Sequence, residues 1–378
     1  MTDTIRDQQM AGTDGTAPQS GVAAAAVQRD PGYRRIATEE AFATPEMFKL
    51  YRELLAAKRS DDIGFNTMWG FYLGSPSERA THIIERLQWL DERRVRDMDA
   101  TGIDMQILSL TAPGVQIFDA ATGTALARSC NDQLAAAVRA HPLRFAGLAA
   151  VAPQDPQNAA KEVERGIKQL GLKGVIINSH THGEYLDAQK FWDIFAAAEA
   201  CNAPVYIHPC TAPPAMIRPF LESGLDGAIF GFGVETALHI LRIIVSGAFD
   251  RFPNLKIVIG HMGEALPFWL YRLDYMYKAT LNSKRYSQWK PNRRLPSEYL
   301  RSNIYVTTSG MPWGPAILFG QQVLGIERVL YAMDYPYQFE AAEVTLTDSL
   351  PISAADKKKL FQTNAEQVFS LSPGARGS

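Results

Sequence analysis

Four apolar runs in this 378-residue chain end in side chains that bind metals or move protons. Glu39 follows Ile36-Ala37-Thr38, His208 follows Val205-Tyr206-Ile207, His261 follows Ile257-Val258-Ile259-Gly260, and Asp334 follows Val329-Leu330-Tyr331-Ala332-Met333. Two carboxylates with one or two imidazoles make a metal-binding set. The same groups serve as general acids and bases when they are not consumed as ligands. A single acid such as Asp334, just before Tyr335-Pro336, also reads as a loop or helix cap. Recurrence at four run ends argues for chemistry, because a purely structural role would have to arise four times.

The runs themselves say how these residues could meet. From Tyr33 onward, strand-length apolar runs alternate with longer segments of helical period, the pattern of repeated βα units. Strands are expected at about 34–40, 104–111, 145–152, 173–179, 204–209, 255–261, 303–308 and 328–334. Helices are expected at about 77–101, 120–141, 156–170, 188–200, 234–247 and 265–281. Eight alternations predict an α/β fold, a (β/α)8 TIM barrel occupying residues 32–372, whose strand ends converge on one catalytic rim. A doubly wound open sheet is the competing fold, but neither GxGxxG nor GxxxxGK[ST] opens a helix. Two excursions, 43–76 and 209–232, follow strands and therefore overhang the rim as long βα loops. Their aromatic clusters, Trp69-Gly70-Phe71-Tyr72 and Phe230-Gly231-Phe232-Gly233, suit pocket walls and equally suit a buried upper layer or a subunit contact.

Composition narrows the partners. A formal charge of −2 and a pI near 6.4 leave no electrostatic footprint for nucleic acid or an anionic membrane, which favours a small molecule. Cys130, Cys201 and Cys210 are odd in number and lack CxxC spacing, so they read as reduced thiols. No stretch approaches the ~18 apolar residues of a membrane span. Residues 1–31 read as a disordered leader, 373–378 as a frayed tail, and the whole as a cytoplasmic protein.

Several motifs carry a resemblance across about residues 33–370: Glu39-Glu40-Ala41-Phe42, Ser75-Pro76-Ser77-Glu78-Arg79-Ala80-Thr81, Val151-Ala152-Pro153-Gln154-Asp155-Pro156, Ile177-Asn178-Ser179-His180-Thr181, Ile207-His208-Pro209, Gly260-His261-Met262-Gly263-Glu264 and Tyr331-Ala332-Met333-Asp334-Tyr335-Pro336-Tyr337. As a set they resemble the decarboxylase branch of the amidohydrolase superfamily. The resemblance implies one divalent metal on Glu39, His208 and Asp334, with Mn2+ favoured, Zn2+ as the alternative and no organic cofactor. Many members of that superfamily carry a second ligand where Ala41 stands, and alanine cannot bind metal.

The implied reaction is non-oxidative decarboxylation of an ortho-hydroxy aromatic acid, with 5-carboxyvanillate to vanillate and CO2 as the first expectation, in the breakdown of lignin-derived aromatics. Asp334 and His261 would handle the proton, Arg79, Arg272 and Tyr337 would bind substrate, and His180 would line or support the pocket. In relatives an arginine placed like Arg272 comes from the neighbouring subunit, which implies a homodimer with a shared site. Three rivals stand beside this reading: a decarboxylase of a resorcylate or dihydroxybenzoate, a metal-dependent lactone hydrolase, and a non-catalytic ligand-binding barrel.

Overall fold

The apolar runs form eight parallel strands: β1 (Ile36–Phe42), β2 (Met105–Leu110), β3 (Phe145–Ala150), β4 (Gly174–Asn178), β5 (Val205–His208), β6 (Ile257–Ile259), β7 (Ile304–Thr307) and β8 (Val329–Leu330). They pair in chain order, β1 with β2 through to β7 with β8. The computed structural model describes residues 31–286 and 289–373, so the expected leader and tail fall outside the described residues except at Pro31 and Pro373. Nearly every strand residue is buried, as expected of strands covered by helices on one face and packed into a barrel on the other.

β8 is shorter than its apolar run predicts, because the chain beyond Leu330 meets β1 through isolated bonds and not a regular ladder. Thr38 N–H donates to the Tyr331 carbonyl at 3.1 Å, and Ala41 N–H donates to the Tyr335 carbonyl at 2.6 Å. Thr308 Oγ1 holds the other side, accepting from Ala332 N–H and donating to its carbonyl, each at 3.0 Å. These contacts close the barrel between first and last strands. A bulge lies in β1, where three steps from Ala37 to Glu40 match two on β2, from Gln106 to Leu108.

The excursion after β1 is helical: Thr44 caps α1 (Pro45–Ala56), and Asp62 caps α2 (Ile63–Gly74). The predicted helix 77–101 is two, α3 (Glu78–Leu87) and α4 (Glu92–Thr101), separated where Asp91 takes up the Arg93 N–H as a new N-cap. Pro213 and Pro214 open a further helix, Pro214–Glu222, in the excursion after β5. Cys130, Cys201 and Cys210 are free thiols. Among the described residues no helix is long and apolar enough to cross a membrane.

Candidate active site

Glu39, midway along β1, is buried. Its Oε2 accepts hydrogen bonds from the Tyr206 hydroxyl and from Thr307 Oγ1, the latter at 3.0 Å. Its Oε1 is buried without a hydrogen-bond partner among the described residues. Such an oxygen costs roughly 1–3 kcal/mol or more, so it calls for a ligand. His208 ends β5 and turns Nδ1 to the Pro209 carbonyl at 2.7 Å, which assigns the proton to Nδ1 and leaves a lone pair on Nε2. That lone pair faces Glu39 Oε1 at 3.3 Å. Burial holds the His208 imidazole below its ordinary pKa, which keeps it in the neutral, ligating form.

Two acceptors this close repel each other unless a cation joins them. Asp334 supplies a third donor: ligand atoms of Glu39, His208 and Asp334 lie within 4.8 Å of one another. Two carboxylates and one imidazole suit a hard or borderline divalent ion such as Mn2+, and three protein ligands leave positions open for a substrate. Ala41, on the same strand, is buried and offers no donor. The residues therefore fit the metal that the motifs imply. Close approach also fixes a neighbour: a Cβ on Gly260 would sit 2.6 Å from Glu39 Oε2.

His261 follows β6 in a tight left-handed coil, with φ of 50° at His261 and 55° at Met262. Its Nδ1 meets Glu264 Oε1 at 2.6 Å, and its Nε2 lies 3.7 Å from Glu39 Oε1. Burial alone would lower this imidazole, but the Glu264 carboxylate and then Glu39 more than offset it and raise it to about 10. Asp334 has φ of 79°, an uncommon conformation that the surrounding bonds must hold. Burial, and then the Glu39 carboxylate, push its carboxyl well above the usual range. The cluster thus combines a ligand set with two groups able to carry protons.

The remaining candidates differ in their surroundings. Tyr337 bonds through its hydroxyl to Thr111 Oγ1 at 2.6 Å and meets the Tyr72 ring at 6.0 Å between centroids. Arg79, on α3, donates from Nη2 to the Tyr337 carbonyl at 2.9 Å and lines a cavity of about 380 Å³ with His82, Arg86 and Phe339. Arg272 is exposed on the helix Leu266–Ser283, with no ion pair among the described residues. His180 is engaged by backbone groups: Nε2 meets the Thr211 carbonyl at 2.9 Å, and Nδ1 accepts from Gly183 N–H at 3.2 Å.

His180, Cys210 and Glu235 also approach within 4.8 Å, but they belong to a hydrogen-bonded network whose polar atoms are already engaged. Leu186 N–H donates to His239 Nε2 at 3.0 Å, so His239 carries its proton on Nδ1 and donates to Ser179 Oγ, also at 3.0 Å. Ser179 then donates to Glu235 Oε1 at 2.8 Å. Burial lowers His239 to about 3 and raises Glu235 to about 8. His239 is thus a satisfied interior residue.

The chain matches the amidohydrolase family over residues 80–371. It belongs to that family. This amidohydrolase is 35% identical over 345 residues to the gamma-resorcylate decarboxylase of a Polaromonas species, an alignment covering 89% of this chain and 98% of the relative. It superposes with a TM-score of 0.89 and 55% identity on 5-carboxyvanillate decarboxylase from Novosphingobium aromaticivorans, over 92% of this chain and 98% of that one. That crystal structure holds manganese and 4-hydroxy-3-methoxy-5-nitrobenzoic acid. The 5-carboxyvanillate decarboxylase of Sphingomonas paucimobilis superposes at 0.83 with 44% identity, covering 90% of this chain and 99% of that one.

Sequence reasoning passed over Tyr206, Thr307, Glu264 and Thr111. Tyr206 was within reach, since it precedes His208 by two residues and a strand returns such residues to one face. Glu264 lies three residues beyond His261, a spacing that carries weight only once the coil there is known. Thr307 and Thr111 carry no signal, because a threonine at a strand end is common.

Proposed function

We propose that this amidohydrolase removes the carboxylate ortho to a phenolic hydroxyl, converting 5-carboxyvanillate to vanillate and CO2. One Mn2+ would be held by Glu39, His208 and Asp334. The observation that carries the reading is the buried, unpartnered Glu39 Oε1 facing the His208 lone pair, in a chain 55% identical to a manganese-containing decarboxylase of this kind. When bound, the ion would supply Lewis acidity, drawing off charge as the bond to CO2 weakens.

The chain's own residues do the rest. Tyr206 and Thr307 fix Glu39 so that Oε1 alone faces the centre. Asp334 delivers a proton to the ring carbon bearing the carboxylate, which takes the ring to its dearomatised ketone form. The bond to the carboxylate then breaks, CO2 leaves, and the electron pair returns to the ring. His261, held by Glu264, returns a proton from solvent to Asp334 and completes the cycle. Tyr337 orients the ring from the eighth loop, with Thr111 fixing its hydroxyl. Arg79 steers the substrate's second carboxylate, and His180 braces the rim by tying the fourth loop to Thr211.

The helix Leu266–Ser283 supports a homodimer in which Arg272 reaches the neighbouring site. Phe268, Trp269, Tyr271 and Tyr275 surround Arg272 on that helix, and Tyr271 is 83% exposed. A contiguous aromatic patch of this sort is costly in water and marks an interface. Free cysteines and a small-molecule substrate suit the cytoplasm.

The test is incubation of the Mn2+-loaded protein with 5-carboxyvanillate, following vanillate and CO2. Equal or greater turnover of 2,6-dihydroxybenzoate, favoured by the 35% identity to a resorcylate decarboxylase, would reassign the substrate. Consumption of a lactone without release of CO2 would replace decarboxylation by hydrolysis, and binding without turnover of any of these would leave a ligand-binding barrel.

A further inference from the structure

Next to the ligand Glu39 stands a second carboxylate, Glu40, which faces the other way. Consecutive strand residues point to opposite faces. Glu39 reaches Tyr206 and Thr307, whereas Glu40 contacts Gln106, whose Oε1 in turn accepts from Arg94 Nε on α4 at 2.6 Å. Glu40 and Arg94 are both fully buried. The Glu40 carboxylate spans the turn that presents Asp334: Oε1 accepts from Met333 N–H at 2.9 Å, and Oε2 accepts from Tyr335 N–H at 3.2 Å. These amides flank Asp334 on either side. Gln106 Nε2 donates to the same Oε2 at 3.3 Å.

We infer that Glu40 is a positioning residue that sets the Asp334 carboxylate from outside the barrel, clamping the amides before and after it, with Arg94 locking the clamp to β1. The seam between β1 and the eighth loop needs this. Beyond Leu330 the regular ladder ends, so a side chain takes over the bonds that a strand neighbour would supply. Asp334 sits there at φ 79°, a conformation the chain would not hold unaided. Arg94 completes the seam, since Nη1 and Nη2 each donate to the Ala41 carbonyl at 2.9 Å and the guanidinium lies 4.3 Å from the Tyr335 ring centroid.

The inference rests on the reading of Glu39, His208 and Asp334 as metal ligands, so the test measures metal binding directly. Mn2+ affinity is titrated by electron paramagnetic resonance without substrate, alongside kcat, KM and melting temperature. Glu40→Gln keeps the side chain's length but turns one acceptor into a donor facing a backbone N–H; Glu40→Asp keeps the carboxyl group but is too short to span both amides. Both are expected to weaken Mn2+ binding by about 10–100-fold and to lower kcat by a similar factor, with KM within about threefold of wild type. Arg94→Lys, a milder change if the Glu40 variants fold poorly, is expected to lose several-fold in the same two quantities. Val163→Ala, in the helix Pro156–Lys168, is the control that lowers the melting temperature without moving Mn2+ affinity.

Wild-type Mn2+ affinity in Glu40→Gln and Arg94→Lys, or an equal loss in Val163→Ala, would overturn the clamp alone. A wild-type protein that binds no Mn2+, or a Glu39→Gln variant that binds it normally, would overturn the ligand reading and the clamp with it.

Discussion

Glu39→Gln should make the metal-free protein more stable while destroying its metal site. Tyr206 and Thr307 both donate to Oε2, so the amide oxygen must occupy that position. The amide nitrogen then stands where Oε1 was, 3.3 Å from the His208 Nε2 lone pair, and donates into it. The change removes a buried oxygen that lacks a partner, worth roughly 1–3 kcal/mol. It also relieves repulsion, since the Glu39 charge helps push up both Asp334 and Glu40. Against this stands lost attraction to His261, but that imidazole is held more closely by Glu264, at 2.6 Å against 3.7 Å. A net gain of ~1–2 kcal/mol, at ~2.1 cal/mol/K of unfolding entropy per residue over ~340 folded residues, raises the melting temperature by roughly 1–3 °C.

The assay is scanning calorimetry in chelator and again in excess Mn2+. At a hundredfold excess over Kd, Mn2+ should stabilise the wild-type protein by ~2.7 kcal/mol and the variant not at all. The variant should also release no CO2. A metal-free variant that melts below the metal-free wild type, or one that keeps the Mn2+ shift, would refute the opposition of two acceptors across a cation.

Three other outcomes follow from the same geometry. Asp334→Asn should lower kcat by at least the ~10²–10⁴-fold of a positioned proton transfer, read in single-turnover assays; a nearly active variant would remove Asp334 as the proton donor. His239, lowered by burial to about 3, is neutral in the folded protein at pH values where its unfolded counterpart, near 6.5, gains a proton. Its contribution is present above pH 6.5 and lost as pH falls from there toward 3, so the wild type should lose ~1 kcal/mol more than His239→Gln between pH 6.5 and 5.5 in urea titrations. Phe268→Asp should split the proposed dimer in sedimentation equilibrium and raise KM, as Arg272→Ala should without splitting it; a monomeric wild type would refute both.

How much of this could be read from the sequence depends on which atoms the signal comes from. The barrel strands are short apolar runs, four of which carry or lead into an acid or imidazole, and this one-dimensional pattern exposed Glu39, His208, His261 and Asp334. The helical character of the excursions was hidden because Asp62 begins a cap at a position where the preceding residues read as loop, and α2 is apolar nearly all round and so lacks a polar face to betray its period. The break between α3 and α4 was missed because Asp91 competes with an otherwise continuous helical period. His180 was expected by position to line or support the pocket, and the turn at Ser179, with φ of 45°, sends its ring to backbone partners. No sequence pattern encodes that rotation.

The same distinction explains why the centre lies where the barrel closes. Seven strand pairs form ladders, the first of them bulged in β1, and the eighth junction, between β1 and the chain after β8, is joined by separate bonds from Thr38, Ala41 and Glu40. A regular ladder would fix each residue by the pleat and send alternate side chains to opposite faces. An irregular junction frees the backbone to take the left-handed turn that points Asp334 toward Glu39 and His208. The cost is a set of amides and carbonyls without strand partners, and buried side chains take them up: Glu40 for the amides of Met333 and Tyr335, Arg94 for the carbonyl of Ala41. Polar burial around the seam therefore accompanies the turn that presents Asp334, which is held by side chains on the face opposite Glu39.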